Sequence, residues 1–352
     1  MPHINPPDSL HPLQSTVQHN CHIADALYAG DYTLCIYLLK MREFYRWETG
    51  QSYNCDLENK TIGVWLRERE TLWEELENSD FKNITLEEQE FGPFDTEQIN
   101  QHLKPYGLIY SGGIGLQGRP HFFLGKLHEQ QQVDGYTVYI AANEYARDLS
   151  APPAMSLGQT IFIRRESLKR MLWEKLEEWR WNQPENAMSR AVAQYDFNSD
   201  LDAALDAMTE NELNSVLLHE IGEVKAGQLL GEAWETMLAE LPHSKVEIML
   251  RALRDHLADA LSTLPTLLQN QTTASIHFYF ANLNSMRKYL YPGLLTAYER
   301  WHNEGGITPL LQQVAQGQEH WQTQAEAVLS LYREYGLDAR EKIETLLEEN
   351  RL

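Results

Sequence analysis

Apolar and polar residues recur with two different periods along the chain, and the change of period divides it. Between Ser15 or Thr16 and Ala29 the apolar positions have helical spacing, with Gly30 placed to end the helix. Asp31 can cap the next helix, "YTLCIYLLKMREFYRWE", Tyr32 to Glu48. That stretch is apolar almost all round, which predicts a buried helix. Its ionisable residues Lys40, Arg42, Glu43 and Arg46 then need partners or a route to solvent. Glu68 to Glu90 reads as a more acidic helical segment.

A period of two follows. "YGLIYSGGIGLQGRPHFFLGKL" (Tyr106 to Leu127) and "DGYTVYIAANEYA" (Asp134 to Ala146) alternate between glycines, as strands and hairpins do. "QTIFI" (Gln159 to Ile163) offers another strand, and "ARDLSAPPAM" (Ala146 to Met155) a proline-broken loop. From Glu166 onward no stretch calls for a strand. Helices are expected at Glu166–Trp181 and around Thr209–Leu241, Lys245–Leu261, His277–Tyr289, Leu294–Asn303, Gly317–Tyr335 and Asp338–Glu349. The expected architecture is mainly α within the α+β class: a multi-helix bundle with a small antiparallel sheet inserted. Its parts are residues 1–105, helical; 106–165, the sheet; and 166–352, helical. Residues Met1 to Leu13 read as a loose, proline-rich lead-in.

Composition narrows the class of function. A net charge of −22 in 352 residues repels a phosphate backbone, so nucleic acid is not an expected partner. The basic run "FIRRESLKR" (Phe162 to Arg170) reads as a charged helix start. Cys21, Cys35 and Cys55 have no C-x-x-C spacing and read as free thiols of a reducing compartment. The N-terminus lacks the pattern of a secretory leader, and no apolar run approaches the ~20 residues of a membrane span. A cytoplasmic protein without membrane contact is the expectation.

The candidate chemistry lies in "LLHEIGEVKAGQLLG", Leu217 to Gly231. With His219 at zero on a helical wheel, Glu223 falls near about 40° and Glu220 near about 100°, at about 100° per residue. Leu217, Val224, Leu230, Trp234 and Leu238 share that arc, so three ionisable groups sit on the face that should be buried. Such groups must be neutralised, paired or bound to metal. In "KVEIMLRALRDHLADAL", His256 projects from the apolar arc with Asp259 one turn on, at its edge. Pro242 in the short link "ELPHSK" favours an antiparallel helix pair. His219, Glu223, His256 and Asp259 are therefore candidate ligands for zinc or iron, with Glu220 as the general base on a bound water. The first motif departs from the zincin H-E-x-x-H helix by a glutamate in place of the second histidine. His19, His22 and Asp25 line one face of the first helix, either as a solvated face or as added ligands. Glu43 is the best further carboxylate, with Lys40 or Arg46 as its structural partner.

"HNCHIADALYAGDYTLCIYLLKMREFYRWE", "LLHEIGE" and "RDHLADALSTLP" together resemble an uncharacterised bacterial family with no assigned activity. The resemblance covers most of the chain and implies no catalytic residues. Elsewhere, "GGIGLQG" contains G-x-G-x-x-G but is followed by Arg119, Pro120 and a strand, so it reads as a glycine-rich turn. His121 and His128 have opposite parity on that strand and do not jointly suggest a site. In "SIHFYFANLNSMRKYLYPG" Arg287 and Lys288 could receive an anion. No G-x-S-x-G, P-loop or C-x-x-C-H signature is present. Three functions remain open: a metal-dependent enzyme on a small molecule, hydrolytic or redox; a non-enzymatic scaffold whose HEIGE helix holds an internal salt-bridge network; and a metal-free acid–base enzyme using Glu220 or His256.

Overall fold

The computed structural model describes residues 10–115, 118–241 and 244–352. Most of the expected lead-in, and Pro242 of the inter-helix link, lie outside them. The chain is mainly helical and divides into two compact units. The first comprises residues 1–174 and 201–209, the second 175–200 and 210–352. Among the described residues no helix is long and apolar enough to cross a membrane.

In the first unit, helix α1 (His11–Tyr28) starts earlier than its periodicity suggests, with a proline in its first turn, where a missing N–H costs nothing. Helices α2 (Leu34–Glu48) and α3 (Asn59–Leu76) follow. The acidic segment then leaves helix. It forms a hairpin of β1 (Ile84–Leu86) and β2 (Gln89–Phe91), with Glu87 and Glu88 at positive φ in the turn. Helix α4 (Thr96–Leu103) leads into a five-stranded sheet: β3 (Leu108–Ile114), β4 (Pro120–Val133), β5 (Tyr136–Arg147), β6 (Ala154–Leu157) and β7 (Thr160–Arg164), in the order β3-β4-β5-β7-β6. Its pairs are antiparallel except β5–β7, which is parallel, so the sheet is mixed.

Regions 1–105 and 106–165, read apart in the sequence, share one core. Leu13, Val17, Cys21 and Ala24 form a helical stripe on α1 that packs with Ile84, Ile99, Tyr110, Phe122, Leu124 and Ala146. Strand β3 is an edge, and side chains of α4 take the place of a further strand. Asn100 donates to the Tyr110 carbonyl (2.7 Å) and accepts from the Tyr110 N–H (2.8 Å). Thr96 makes the same two-way pairing with Gly112, at 2.8 and 2.9 Å. Helix α2 departs from expectation: Met41 and Phe44 are buried, but Leu34, Ile36, Leu38 and Leu39 are exposed. An all-round apolar pattern does not say which faces the rest of the chain covers.

Helix α5 (Arg165–Asn182) and helix α7 (Leu201–Leu230) contribute residues to both units. The second unit adds α6 (Ala187–Val192), α8 (Glu232–Glu240) and α9 (Lys245–Ala258). The single helix expected at Thr209–Leu241 breaks at Gly231, whose φ of 72° suits glycine. Helix α9 does not end cleanly but widens into a π-helical turn, Asp259–Thr263, before α10 (Leu264–Gln269). Pro265 follows it and has no N–H to give the carbonyl of Leu261, which interrupts the α-type ladder here. Then come α11 (Thr273–Asn282), α12 (Ser285–Leu290), α13 (Pro292–Glu304), α14 (Thr308–Tyr335) and α15 (Arg340–Glu349), around a core holding Trp234, Leu253, Tyr298 and Trp321. Gly222 lets α7 and α9 meet backbone to backbone, because a Cβ there would collide with the Ala258 carbonyl.

Candidate functional sites

That close crossing places His219 of α7 beside Asp259, the first residue of the π turn. His219 Nδ1 lies 2.9 Å from an Asp259 carboxylate oxygen, and Thr263 donates to the same oxygen at 3.0 Å. Arg287 donates to the other oxygen and also to the Tyr279 hydroxyl, at 2.8 Å. Burial alone would raise the Asp259 pKa, but Arg287 and His219 hold it well below the usual carboxylate range. Burial would likewise lower that of His219, whose side chain is 39% exposed, but Asp259 holds it up at about 9.

The remaining expected ligands go elsewhere. Glu223 pairs with Arg254 at 3.2 Å, and Arg254 also reaches Glu235 at 2.9 Å. His256 stacks on Trp321, with ring centroids 5.2 Å apart, and its Nε2 lies 3.0 Å from the Arg287 carbonyl. Burial pushes its pKa down to about 3, so it is a neutral core imidazole. Glu220, buried beside His219 and Glu223, is pushed up to about 7 by burial. Thus His219 and Asp259 meet as expected, while His256 turns into the apolar core and arginines stand against the carboxylates. Among the described residues no group of three or more His, Cys, Asp or Glu side chains is arranged to hold a metal ion.

A second His–Asp pair lies in the first unit, where the sequence reading saw none. Strands β4 and β5 form a hairpin whose antiparallel register brings His121, at the start of β4, to Asp148, just past β5. His121 Nδ1 is 3.2 Å from Asp148 Oδ2. That aspartate is held by backbone: Phe122 N–H donates to Oδ2 at 3.2 Å and Ala151 N–H to Oδ1 at 2.6 Å. Ala151 adopts φ 39°, a left-handed conformation unusual for alanine, and Arg170 grips the same loop through the carbonyls of Ser150 (3.2 Å) and Ala151 (2.7 Å). Burial would raise the Asp148 pKa, but the His121 hydrogen bond and charge, with Arg164, bring it to about 2. Gly115 makes room for the histidine: a Cβ there would stand 2.7 Å from the His121 ring.

This pair lines a cleft of about 300 Å³, counting its open mouth, with Asp25, Tyr28, Tyr32, Arg119 and Ser150 among its walls. Its enclosed part admits little more than a water-sized group. Asp25 Oδ1 accepts the Leu149 N–H at 2.8 Å, while its buried Oδ2 has no hydrogen-bond partner. Burial, then the charge of Asp148, pushes the Asp25 pKa well above the usual range. Two neighbouring carboxyl groups are thus driven in opposite directions, one to the acid form and one to the anion.

His22 does not share this cleft. It contacts Arg69 (2.6 Å) and Trp73 (3.3 Å), and His19 and His22 line a separate groove with His11, Gln14 and Gln18. Glu43 pairs with Arg46, at 3.0 Å, not with Lys40. Arg287 serves Asp259 instead of a pocket mouth. The one available signal for the cleft was the turn "VDGY": Asp134 and Gly135 have φ 52° and 86°, as a two-residue hairpin requires. Running the Val133–Tyr136 register down that hairpin puts His121 opposite Asp148.

No curated protein and no solved structure matches the chain. Two family models do match. Residues 12–164 match the N-terminal domain, and residues 169–350 the C-terminal domain, of a family of unknown function, DUF6866. The pair spans nearly the whole sequence, and the chain belongs to the DUF6866 family.

Proposed function

We propose that the chain is an acid–base enzyme for a small molecule, with its reacting groups in the cleft of the first unit. The observation that carries this reading is the unpartnered Oδ2 of Asp25, buried and facing the cleft beside the His121–Asp148 pair. In the tautomer that an ionised Asp148 favours, His121 Nδ1 carries the proton and Nε2 keeps a lone pair. That nitrogen takes a proton from a water or substrate, while neutral Asp25 gives one to the departing or developing oxygen. A carboxyl held in its acid form beside one held as the anion is the arrangement such chemistry requires. The left-handed Ala151 and the Arg170 clamp keep Asp148 and Ser150 in place.

The test is to incubate the purified chain with a small-metabolite mixture and follow consumption by mass spectrometry. Compounds consumed by the wild type should persist with Asp25→Asn or His121→Gln. Equal consumption by all three proteins would reject the assignment.

For the HEIGE helix, a structural ion-pair network is the better supported reading. Arg254 and Arg287 supply the positive charge a metal would otherwise bring to Glu223 and Asp259. Elemental analysis of tag-free protein tests this against the zinc or iron expectation. Stoichiometric metal that disappears in both His219→Ala and His256→Ala would restore a metal centre made by His219, Glu223, His256 and Asp259.

A further inference from the structure

The first unit buries several cations, and all but one have evident counter-charges. Arg46 has Glu43, Arg164 has Glu144, and Arg170 has Glu174 and two loop carbonyls. Lys40, on the same helix as Arg46, makes no ion pair or hydrogen bond among the described residues. Its Nζ instead stands over the ring of Tyr32, 5.2 Å from the centroid, and that ring is a wall of the cleft. The charged groups nearest it are Arg170 and Glu174 on α5, Asp148 in the loop and Arg147 at the end of β5. Burial, then Arg170, lowers its pKa to about 8.

We propose that Lys40 is a nucleophilic amine serving the cleft through its Tyr32 wall, where it captures a small aldehyde or ketone as an imine. An unpaired amine, half withdrawn from water and set beside a guanidinium, is the environment that frees the nitrogen lone pair. The lone pair forms the C–N bond and the carbonyl oxygen becomes a hydroxyl. That hydroxyl takes a proton and leaves as water, which produces the protonated imine; nothing is oxidised or reduced. Neutral Asp25, in the same cleft, is the proton source. The proposal relies on the acid–base reading for this proton, not for the reactivity of the amine.

The experiment treats the full chain with propionaldehyde and cyanoborohydride at neutral pH and maps N-propylated lysines by peptide mass spectrometry. Lys342 is the internal control, since it also lies over a tyrosine ring, that of Tyr335 at 4.6 Å, but is exposed. From the model-lysine value of 10.5 against about 8, Lys40 should react at least about tenfold faster than Lys342. Asp25→Asn should slow Lys40 alone. Rapid capture unaffected by Asp25→Asn would uphold Lys40 and count against Asp25 as the acid. Capture at Lys40 no faster than at Lys342 overturns the proposal, whatever Asp25 does. Lys40→Met, checked for folding by circular dichroism, should lose the fast site and leave labelling elsewhere unchanged.

Discussion

The two units each contain an aspartate bound to a histidine, and they stabilise that aspartate by different means. In the helical unit Asp259 is met by a full opposite charge, Arg287, and by Thr263. In the sheet unit Asp148 is met by two backbone N–H groups and left beside a second carboxyl that has no counter-charge of its own. A charge neutralised by arginine is energetically settled and has little left to offer a ligand. A carboxyl kept from ionising inside a cleft is unfinished, and a bound molecule can complete it. The contrast suggests that His219–Asp259 holds helices together and that Asp25, His121 and Asp148 react.

The largest expected effect comes from removing the settled charge. Asp259→Ala leaves Arg287 buried without its carboxylate and should cost about 3–5 kcal/mol in denaturant unfolding. A loss under about 1 kcal/mol would show that the arginine finds water or another partner. Asp148→Asn keeps an acceptor but gives up the charge that orients His121, and should cost about 1–3 kcal/mol. If it instead cost as much as Asp259→Ala, the distinction between the two pairs would collapse.

The sign should reverse at Asp25. Its folded pKa is raised, so the wild type loses stability as pH climbs from the unfolded value near 3.8 through the folded one. Asparagine keeps the acceptor for the Leu149 N–H without that loss, so Asp25→Asn should be about 0.5–2 kcal/mol more stable at pH 8 than the wild type. Thermal melts at pH 4 and pH 8 check this: the gain should be smaller at pH 4. The smallest effect belongs to His219. Its pKa rises from 6.5 to about 9 on folding, so its contribution is complete below 6.5 and fades as pH rises through 9. His219→Gln should flatten that part of the stability–pH curve. An unchanged slope would mean that the half-exposed ring gains little from Asp259.

Helical periodicity made the settled pair legible and left the reactive one hidden. His219 and Asp259 could be placed on facing arcs because each position reports its own direction on a helix. His256 shared that arc, yet the centre of an apolar face leads into the core, and a neutral imidazole packs there against Trp321 as another aromatic ring would. His121 and Asp148 are joined only by hairpin register, which a strand's period of two does not supply. Parity dismissed His121 because it was compared with His128 on its own strand, not with a residue across the turn. The strands of Tyr106–Ile163 were evident from glycine-punctuated alternation. The hairpin at Ile84–Phe91 was not, since its outward glutamates and glutamine look like a helix surface.

The π turn at Asp259–Thr263 has a consequence for the spacing of the chain. A single π turn accommodates one residue more than an α-helix needs over the same length. Deleting one residue from it would leave an uninterrupted α-helix of almost the same rise, with every position from Leu264 onward turned by about 100° relative to α9. Leu264, Leu267 and Leu268 would rotate out of the core together, and Arg287 would lose its alignment with Asp259. Among relatives of this chain, a one-residue gap at this point should therefore travel with the loss of the aspartate, the arginine or both. The segment works as a counting device: the extra residue sets the phase of everything that follows it.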